Sequence, residues 1–252
     1  MSIDTILYQI NNSPGYSLNL SLNSEDFEFF QRSIYSQWIT TLKKYSPQIR
    51  NLAKKENLEI KNYHKFSHLI EHSKIWCKKS RILPFEFIHN FSNSIFYKEL
   101  KNIFGEIEIS DEENLGYGNI YWRIVRPFEN SDIGPLHRDS WFWQLNDKFP
   151  KPKYKFSRIK VWIAIETESG KSGLLVENNS HKRKDIKWEG DFREGIMKPK
   201  LIDKAEQFKM KLINTKPGDS ILFNDDLIHG GALNTGKNTR VSTEFTILVK
   251  NN

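Results

Sequence analysis

The sequence predicts a mainly β protein with an α-helical N-terminal part, and three observations carry that prediction. Apolar residues recur every three or four positions over roughly the first hundred residues, the period of a helix face. Beyond residue 105 the texture changes to six or seven short runs rich in β-branched and aromatic types, separated by turn residues. Neither an internal repeat nor a low-complexity linker interrupts the chain, so its 252 residues are read as one domain (1–252), with a helical region over 1–110 and a β core over 111–252.

The helical expectations are specific. Ser24 precedes Glu25 and Asp26, an N-cap candidate followed by first-turn acids. Phe27, Phe30, Ile34, Trp38 and Leu42 then form one buried stripe, and Pro47 closes it because the residue before proline avoids helical geometry. A second helix is predicted over residues 64–79 and a third over 85–104, with Gly105 as its C-terminal cap.

Strands are predicted over 119–127, 158–166, 173–177, 208–214, 219–224 and 240–249. Pro217-Gly218 marks a tight turn, proline presetting φ at one position and glycine accepting positive φ at the next. This strand count suggests a sandwich or barrel, a jelly roll above all, since two facing sheets enclose a cavity that several strands can line.

Composition limits the function classes. The net charge is +7, but Lys and Arg are interleaved with acids and the longest basic cluster, His181-Lys182-Arg183-Lys184, is short. Nucleic-acid binding wants a basic stripe or arm, so no nucleic-acid partner is expected. The charge fits a lysine-rich solvated surface, or a small anionic substrate. No stretch reaches the length of a membrane span, no secretory signal is visible, and one cysteine, Cys77, suits a reducing compartment, so a cytoplasmic location is expected. Cys77, beside Trp76, reads as a buried small hydrophobe.

One constellation carries chemistry. His137 and Asp139 are two apart, a spacing that places both on one face of a strand. His229 follows the 219–224 strand and is followed by two glycines, and Arg240 lies 11 residues further on. Two imidazoles and one carboxylate on one face of an octahedron leave three positions open, the pattern of non-haem iron(II) oxygenases. Two of these suit the keto-acid end of 2-oxoglutarate and the third dioxygen. Arg240 offers a planar fork for the far carboxylate, and Ser242 a hydroxyl from the same strand face.

The same residues resemble a known family. Gly134-Pro135-Leu136-His137-Arg138-Asp139 is similar to the first metal motif of the phytanoyl-CoA dioxygenase family. Residues 161–166 and 172–181 resemble its central strand pair, ending in Asn178-Asn179-Ser180-His181 where that family has a Pro-Gly-Ser-His-like turn. Lys216 to Phe223, then His229-Gly230-Gly231, Asn234 and Arg240-Val241-Ser242, resemble its second metal motif and co-substrate arginine. The resemblance covers residues 116–249. It implies a double-stranded β-helix, a jelly-roll variant of cupin type flanked by helices, with iron(II) and 2-oxoglutarate as cofactors. It implies that residues of the 119–127 strand touch the co-substrate, with Tyr121 and Arg123 read as polar pocket groups, and that positions matching Trp162 line the co-substrate pocket, although Trp162 itself reads first as core. Halogenating members lack the carboxylate ligand, so Asp139 implies hydroxylation or a related oxidation, with release of succinate and carbon dioxide.

Other residues admit two readings. Arg123 reads as a pocket cation or as a surface arginine. Trp141 and Trp143, alternating after the metal motif, read as a wall of the substrate pocket or as core. Arg138, alternating away from the ligands, is a weaker candidate for an acidic substrate. His64, His68 and His72 recur every four residues and read as helix surface. Asp225-Asp226 read as turn caps, and residues 182–207 as a charged insert that could cover the site. Two rival functions share the jelly roll: a cupin-like metal enzyme without a keto acid, and a non-catalytic module binding a small ligand.

Overall fold

The computed structural model describes residues 3–146, 151–193 and 195–251. The chain opens with α1 (Ile3–Asn11), the two-residue strand β1 (Tyr16–Ser17), α2 (Ser24–Tyr45) and α3 (Pro47–Lys55). Then follow α4 (His72–Ile75), α5 (Phe85–Phe91), α6 (Ile95–Phe104), β2 (Ile107–Ile109) and β3 (Tyr121–Val125). α7 (Asp139–Leu145) precedes β4 (Phe156–Glu166), β5 (Leu174–Glu177) and the hairpin β6 (Trp188–Arg193) and β7 (Ile196–Leu201). The chain ends with β8 (Met210–Leu212), β9 (Ser220–Asn224), β10 (His229–Gly231) and β11 (Arg240–Lys250).

α2 forms as its sequence prescribes, with the cap one residue earlier than expected. Asn23 is the N-cap and accepts from the Asp26 amide at 2.9 Å. Asp26 has a second task, accepting from the Phe96 amide at the start of α6 at 2.7 Å. The buried stripe is Phe30, Ile34, Trp38 and Leu42, a period of four that keeps one face on the core. The helix ends at Ser46, whose hydroxyl caps α3 by accepting from Ile49.

Two helix expectations need correction. Residues 85–104 are two helices, because Ser94 caps α6 by accepting from the Tyr97 amide at 3.0 Å, and Ser92 bonds back to the His89 carbonyl. Residues 64–79 are short 3₁₀ turns around α4, broken where Phe66 and Ile70 take φ of −128° and −144°. Ser67 and Ser80 there donate to the carbonyls of His64, Ile75 and Cys77, which competes with helix bonding. The three histidines therefore share no stripe: His64 bonds Thr239, and His72 bonds Tyr63. Cys77 is exposed rather than buried, and it is the neighbouring Trp76 that enters the core.

Among the described residues the β part is two antiparallel sheets and the β6–β7 hairpin. The large sheet runs β1-β9-β4-β11, with β2 and β3 both pairing along the far edge of β11. The small sheet runs β10-β5-β8, and an antiparallel bridge from His137 to His229 extends it. All six predicted strands are present, and β1 and β2 add two short ones within the helical region. Pro217-Gly218 makes the expected turn, with Gly218 at φ +92° and the Asp219 amide bonding back to the Lys216 carbonyl.

Strand alternation divides the large sheet into two faces. Ile159, Val161, Ile163 and Ile165 of β4, Val241, Phe245 and Ile247 of β11, and Trp122 and Ile124 of β3 pack with the helices in one core. Trp162 and Ala164 of β4 and Ile221 and Phe223 of β9 turn the other way and meet Leu174 and Val176 of the small sheet. The space between the sheets also receives the polar residues of that second face.

A buried chain ties the helical region to the strap before His137. Trp76 donates to the Tyr63 hydroxyl at 3.1 Å, which bonds His72 at 2.8 Å, and His72 Nε2 lies 3.3 Å from Asp132. Arg126 grips Asp132 from the other side with two bonds, at 2.8 and 2.9 Å. Burial pushes His72 down to about 4. The folded state therefore holds a neutral His72 while the unfolded chain binds a proton below about pH 6.5. Stability from this site should fall as the pH drops from about 6.5 to about 4. The corresponding expectation is that His72→Gln flattens the pH dependence of the chemical-denaturation midpoint by up to one proton across that window.

Candidate metal centre

The ligand-bearing residues sit at the ends of elements rather than within them. His137 bridges to His229 across the edge of the small sheet, each amide donating to the other's carbonyl at 3.0 Å. Asp139 is the first residue of α7 and not a strand residue, so the strand-pleat argument for its direction is replaced. The chain turns at Arg138, which is extended at φ −110°, and this turn brings the carboxylate beside both imidazoles. His229 opens β10, in register with Val176. A side chain at Gly230 would meet the end of the Leu136 side chain at 2.9 Å, so Leu136 packs directly over the glycine where the two histidine segments meet.

The three side chains converge. His137 Nε2 lies 3.8 Å from Asp139 Oδ1, and His229 Nε2 lies 3.4 Å from Asp139 Oδ2. All three can present ligand atoms within 4.8 Å of one another, and among the described residues no other group of this kind occurs. Nδ1 of His137 faces the Pro135 carbonyl and Nδ1 of His229 the Leu227 carbonyl, each at 2.9 Å. A carbonyl can only accept, so each Nδ1 carries the proton and each Nε2 keeps its lone pair towards the shared point. Burial, reinforced by His229, pushes His137 down to about 4, which keeps it neutral at ordinary pH. Asp139 Oδ2 is buried and accepts no hydrogen bond, and its carboxyl stays below the usual range despite burial because Lys160 lies beside it. Two imidazoles whose Nε2 atoms face a shared point, one carboxylate and an unused buried oxygen fit a divalent metal.

A cavity opens beside these ligands, lined by Arg123, Ile133, Trp162, Leu174, Arg240 and Glu244 together with the two histidines. Arg240, 2% exposed, donates to the Gly173 carbonyl at 3.0 Å, while its Nε has no partner. Among the described residues no carboxylate lies within ion-pair reach of Arg240, and burial pushes its guanidinium down to about 10. Ser242 Oγ, on the same face of β11, and Thr215 Oγ1, beside Gly173, are also buried without partners. A buried cation and unpartnered hydroxyls are costly unless an anion arrives to meet them.

The remaining sequence candidates fall in different places. Arg123 lines the cavity and is paired with Glu244 at 2.9 Å, which holds that carboxyl well below its usual range. Tyr121 lies at the outer end of β3, its hydroxyl 3.5 Å from Glu113 and Lys78 over its ring, away from the cavity lining. Trp141 and Trp143 are on α7 and not on alternating strand positions. Trp141 is buried and stacked on Trp188 at 5.0 Å, and Trp143 donates to Asp225 at 3.2 Å. Arg138 donates to the carbonyls of Ser180 and Arg183, so its guanidinium ties two loops together. Asp225 is not a turn cap. Half-buried near Asp139, it is pushed up to about 8 and accepts from Trp143.

Two features escaped the sequence reading. Glu244 lines the cavity and Lys160 lies beside Asp139, and strand parity could have found them: Lys160 shares the Trp162 face of β4, and Glu244 the Arg240 face of β11. Ser180 also acts at a distance from the ligands, accepting from the Ile228 amide and donating to the Glu177 carbonyl at 2.8 Å each. The departure at Asn178-Asn179 leaves this turn intact, because Asn179 takes the left-handed conformation, at φ +63°, that asparagine tolerates.

Solved structures share this fold at low identity. The non-heme monooxygenase ThoJ, in its apo form, aligns with TM-score 0.58 and 9% identity over 97% of this chain and 77% of its own. The non-heme alpha-ketoglutarate-dependent carbocyclase SnoK from nogalamycin biosynthesis aligns with TM-score 0.56 and 12% identity, over 98% and 84%. The epimerase SnoN, in complex with Fe3+, alpha ketoglutarate and nogalamycin RO, aligns with TM-score 0.55 and 10% identity, over 98% and 83%. No curated protein matches the sequence. The family model described as phytanoyl-CoA dioxygenase (PhyH) matches residues 36–242, which include all three metal-ligand candidates and Arg240. The chain belongs to the phytanoyl-CoA dioxygenase family and is an iron(II)- and 2-oxoglutarate-dependent oxygenase.

Proposed function

We propose that this enzyme oxidises a C–H bond of a small molecule, hydroxylation being the leading outcome, while 2-oxoglutarate is converted to succinate and carbon dioxide. The observation that carries the reading is Arg240, a buried guanidinium with an unused Nε and no anionic partner among the described residues, facing the same cavity as the two ligand histidines. His137, Asp139 and His229 would hold iron(II), which when bound supplies the dioxygen activation that side chains cannot. Arg240 and Ser242 would bind and orient the far carboxylate of 2-oxoglutarate, with Trp162 as an apolar wall. Arg123, already neutralised by Glu244, would face the metal end of the cavity and orient an anionic group there. The two packed sheets are then a double-stranded β-helix over residues 111–252, with residues 1–110 against its outer face, and the protein acts in the cytoplasm. No helix among the described residues is long and apolar enough to cross a membrane.

The substrate is proposed to be a small metabolite, anionic or sugar- or nucleotide-linked. Trp141 and Trp143 would shape its surroundings only indirectly, through the packing of α7. The fold relatives include a carbocyclase and an epimerase, so outcomes other than hydroxylation belong to the same proposal. The test is succinate release from 2-oxoglutarate with iron(II), measured with and without candidate substrates. Uncoupled succinate release that His137→Ala abolishes is expected. Release independent of iron would sink the reading.

A further inference from the structure

Beside Asp139 lies a buried cation to which the proposed function gives no task. Lys160 lies in the middle of β4, with its side chain 8% exposed. Its Nζ is 3.5 Å from Oδ1 of Asp139 and 3.4 Å from Oγ1 of Thr246, the residue facing it in register on β11. Thr246 has one hydroxyl proton and gives it to Glu112 at 2.8 Å, so its lone pair is turned to the lysine. Glu112 is itself 3.6 Å from Lys78 at the surface. The ammonium is thus braced from behind by a threonine and a carboxylate, and it meets one oxygen of Asp139. The other oxygen, Oδ2, is the one that accepts nothing and lies 3.4 Å from Nε2 of His229.

We propose that Lys160 is a positioning residue of the metal centre: it engages Oδ1 of Asp139 so that the carboxylate offers Oδ2 alone to the metal. This rests on the reading of His137, Asp139 and His229 as ligands. The consequence is a coordination number. Three protein ligand atoms leave three open positions, enough for a chelating keto acid and dioxygen. A carboxylate free to turn would offer both oxygens and leave two positions, which the keto acid alone would fill. Lysine suits the task because its ammonium acts as a point charge on one oxygen, whereas an arginine fork would grip both.

The experiment uses Co(II) in place of iron, anaerobically, on the wild type, Lys160→Met, Thr246→Val and Thr246→Ser. The visible absorption bands of bound Co(II) report the number and kind of ligands, and a titration gives the affinity of 2-oxoglutarate for the loaded protein. Lys160→Met is expected to change the intensity and position of the cobalt bands and to weaken 2-oxoglutarate binding by roughly 10–100-fold, the range typical of partners that orient a metal ligand. Thr246→Val should move both readouts in the same direction by a smaller factor, and Thr246→Ser, which keeps the hydroxyl, should match the wild type. Lower thermal stability in Lys160→Met with both readouts unchanged would overturn the proposal, since that is what a merely structural lysine gives. Should Lys160→Met fail to fold, identical cobalt spectra for Thr246→Val and Thr246→Ser overturn it equally. A wild-type protein with no cobalt bands that His137→Ala removes would instead overturn the ligand assignment itself, and this inference with it.

Discussion

Replacing Arg240 with alanine is expected to raise the KM for 2-oxoglutarate by roughly 30- to 4,000-fold while leaving iron affinity within about threefold. The magnitude follows from the cost of truncating one side of a buried, hydrogen-bonded charge pair, about 2–5 kcal/mol, at about 1.4 kcal/mol per tenfold. The selectivity follows from position. Arg240 donates to Gly173, beside Leu174 of the small sheet, and makes no hydrogen bond to a metal-ligand residue. A second readout separates a binding role from a structural one. In the apoprotein Arg240 is a buried cation without a counter-ion among the described residues, so its removal should cost little stability beyond lost packing. Added 2-oxoglutarate should raise the Tm of the metal-loaded wild type and not that of Arg240→Ala, because only a ligand that binds the native state stabilises it. An unchanged KM in the variant would return Arg240 to a structural role and remove the main support for the co-substrate site.

The expectations that came through best were those where one physical rule governs a whole element. The runs at 158–166 and 240–249 could only be strands, and their alternation sorts the apolar helix-facing residues from those facing the small sheet, which on β11 are polar. The α2 stripe was legible for the same reason. What failed depended on competition between neighbours. The 64–79 segment has helical spacing on paper, yet serine hydroxyls take its carbonyls, and Tyr63, Phe66 and Trp76 are drawn into the core from irregular turns. Asp139 was placed beside the histidines by the wrong device: the i, i+2 spacing suggested a strand, while the chain bends at Arg138 and starts a helix. Of the two readings open for Trp141, the structure shows core packing: as a residue of the same helix it stacks on Trp188. Lys160 was hidden because a lone lysine in an apolar strand is ordinarily read as exposed, and only its pairing with Asp139 explains why it is not.

Asp139→Asn is expected to have the largest effect of all, and on two quantities at once. The amide keeps the shape of the side chain but loses its charge, so succinate release should fall by at least about 10³-fold and the metal-induced rise in Tm should vanish. Stability of the apoprotein should fall too, because Lys160 then lies buried without its nearest counter-ion. Breaking a buried pair commonly costs about 3–5 kcal/mol. A loss of about 2 kcal/mol is expected here, since Thr246 still accepts from Lys160 and Glu112 remains behind it. Adding Lys160→Met to Asp139→Asn removes the stranded ammonium and should recover most of that stability, while metal binding stays lost. The cycle thus separates two properties that share one carboxylate: affinity for the metal, which needs the negative charge of Asp139, and stability of the fold, which needs only that charge and countercharge leave together. A double variant no more stable than Asp139→Asn would mean that Lys160 is held by Thr246 and Glu112 alone, and that its 3.5 Å approach to Asp139 contributes nothing to the fold.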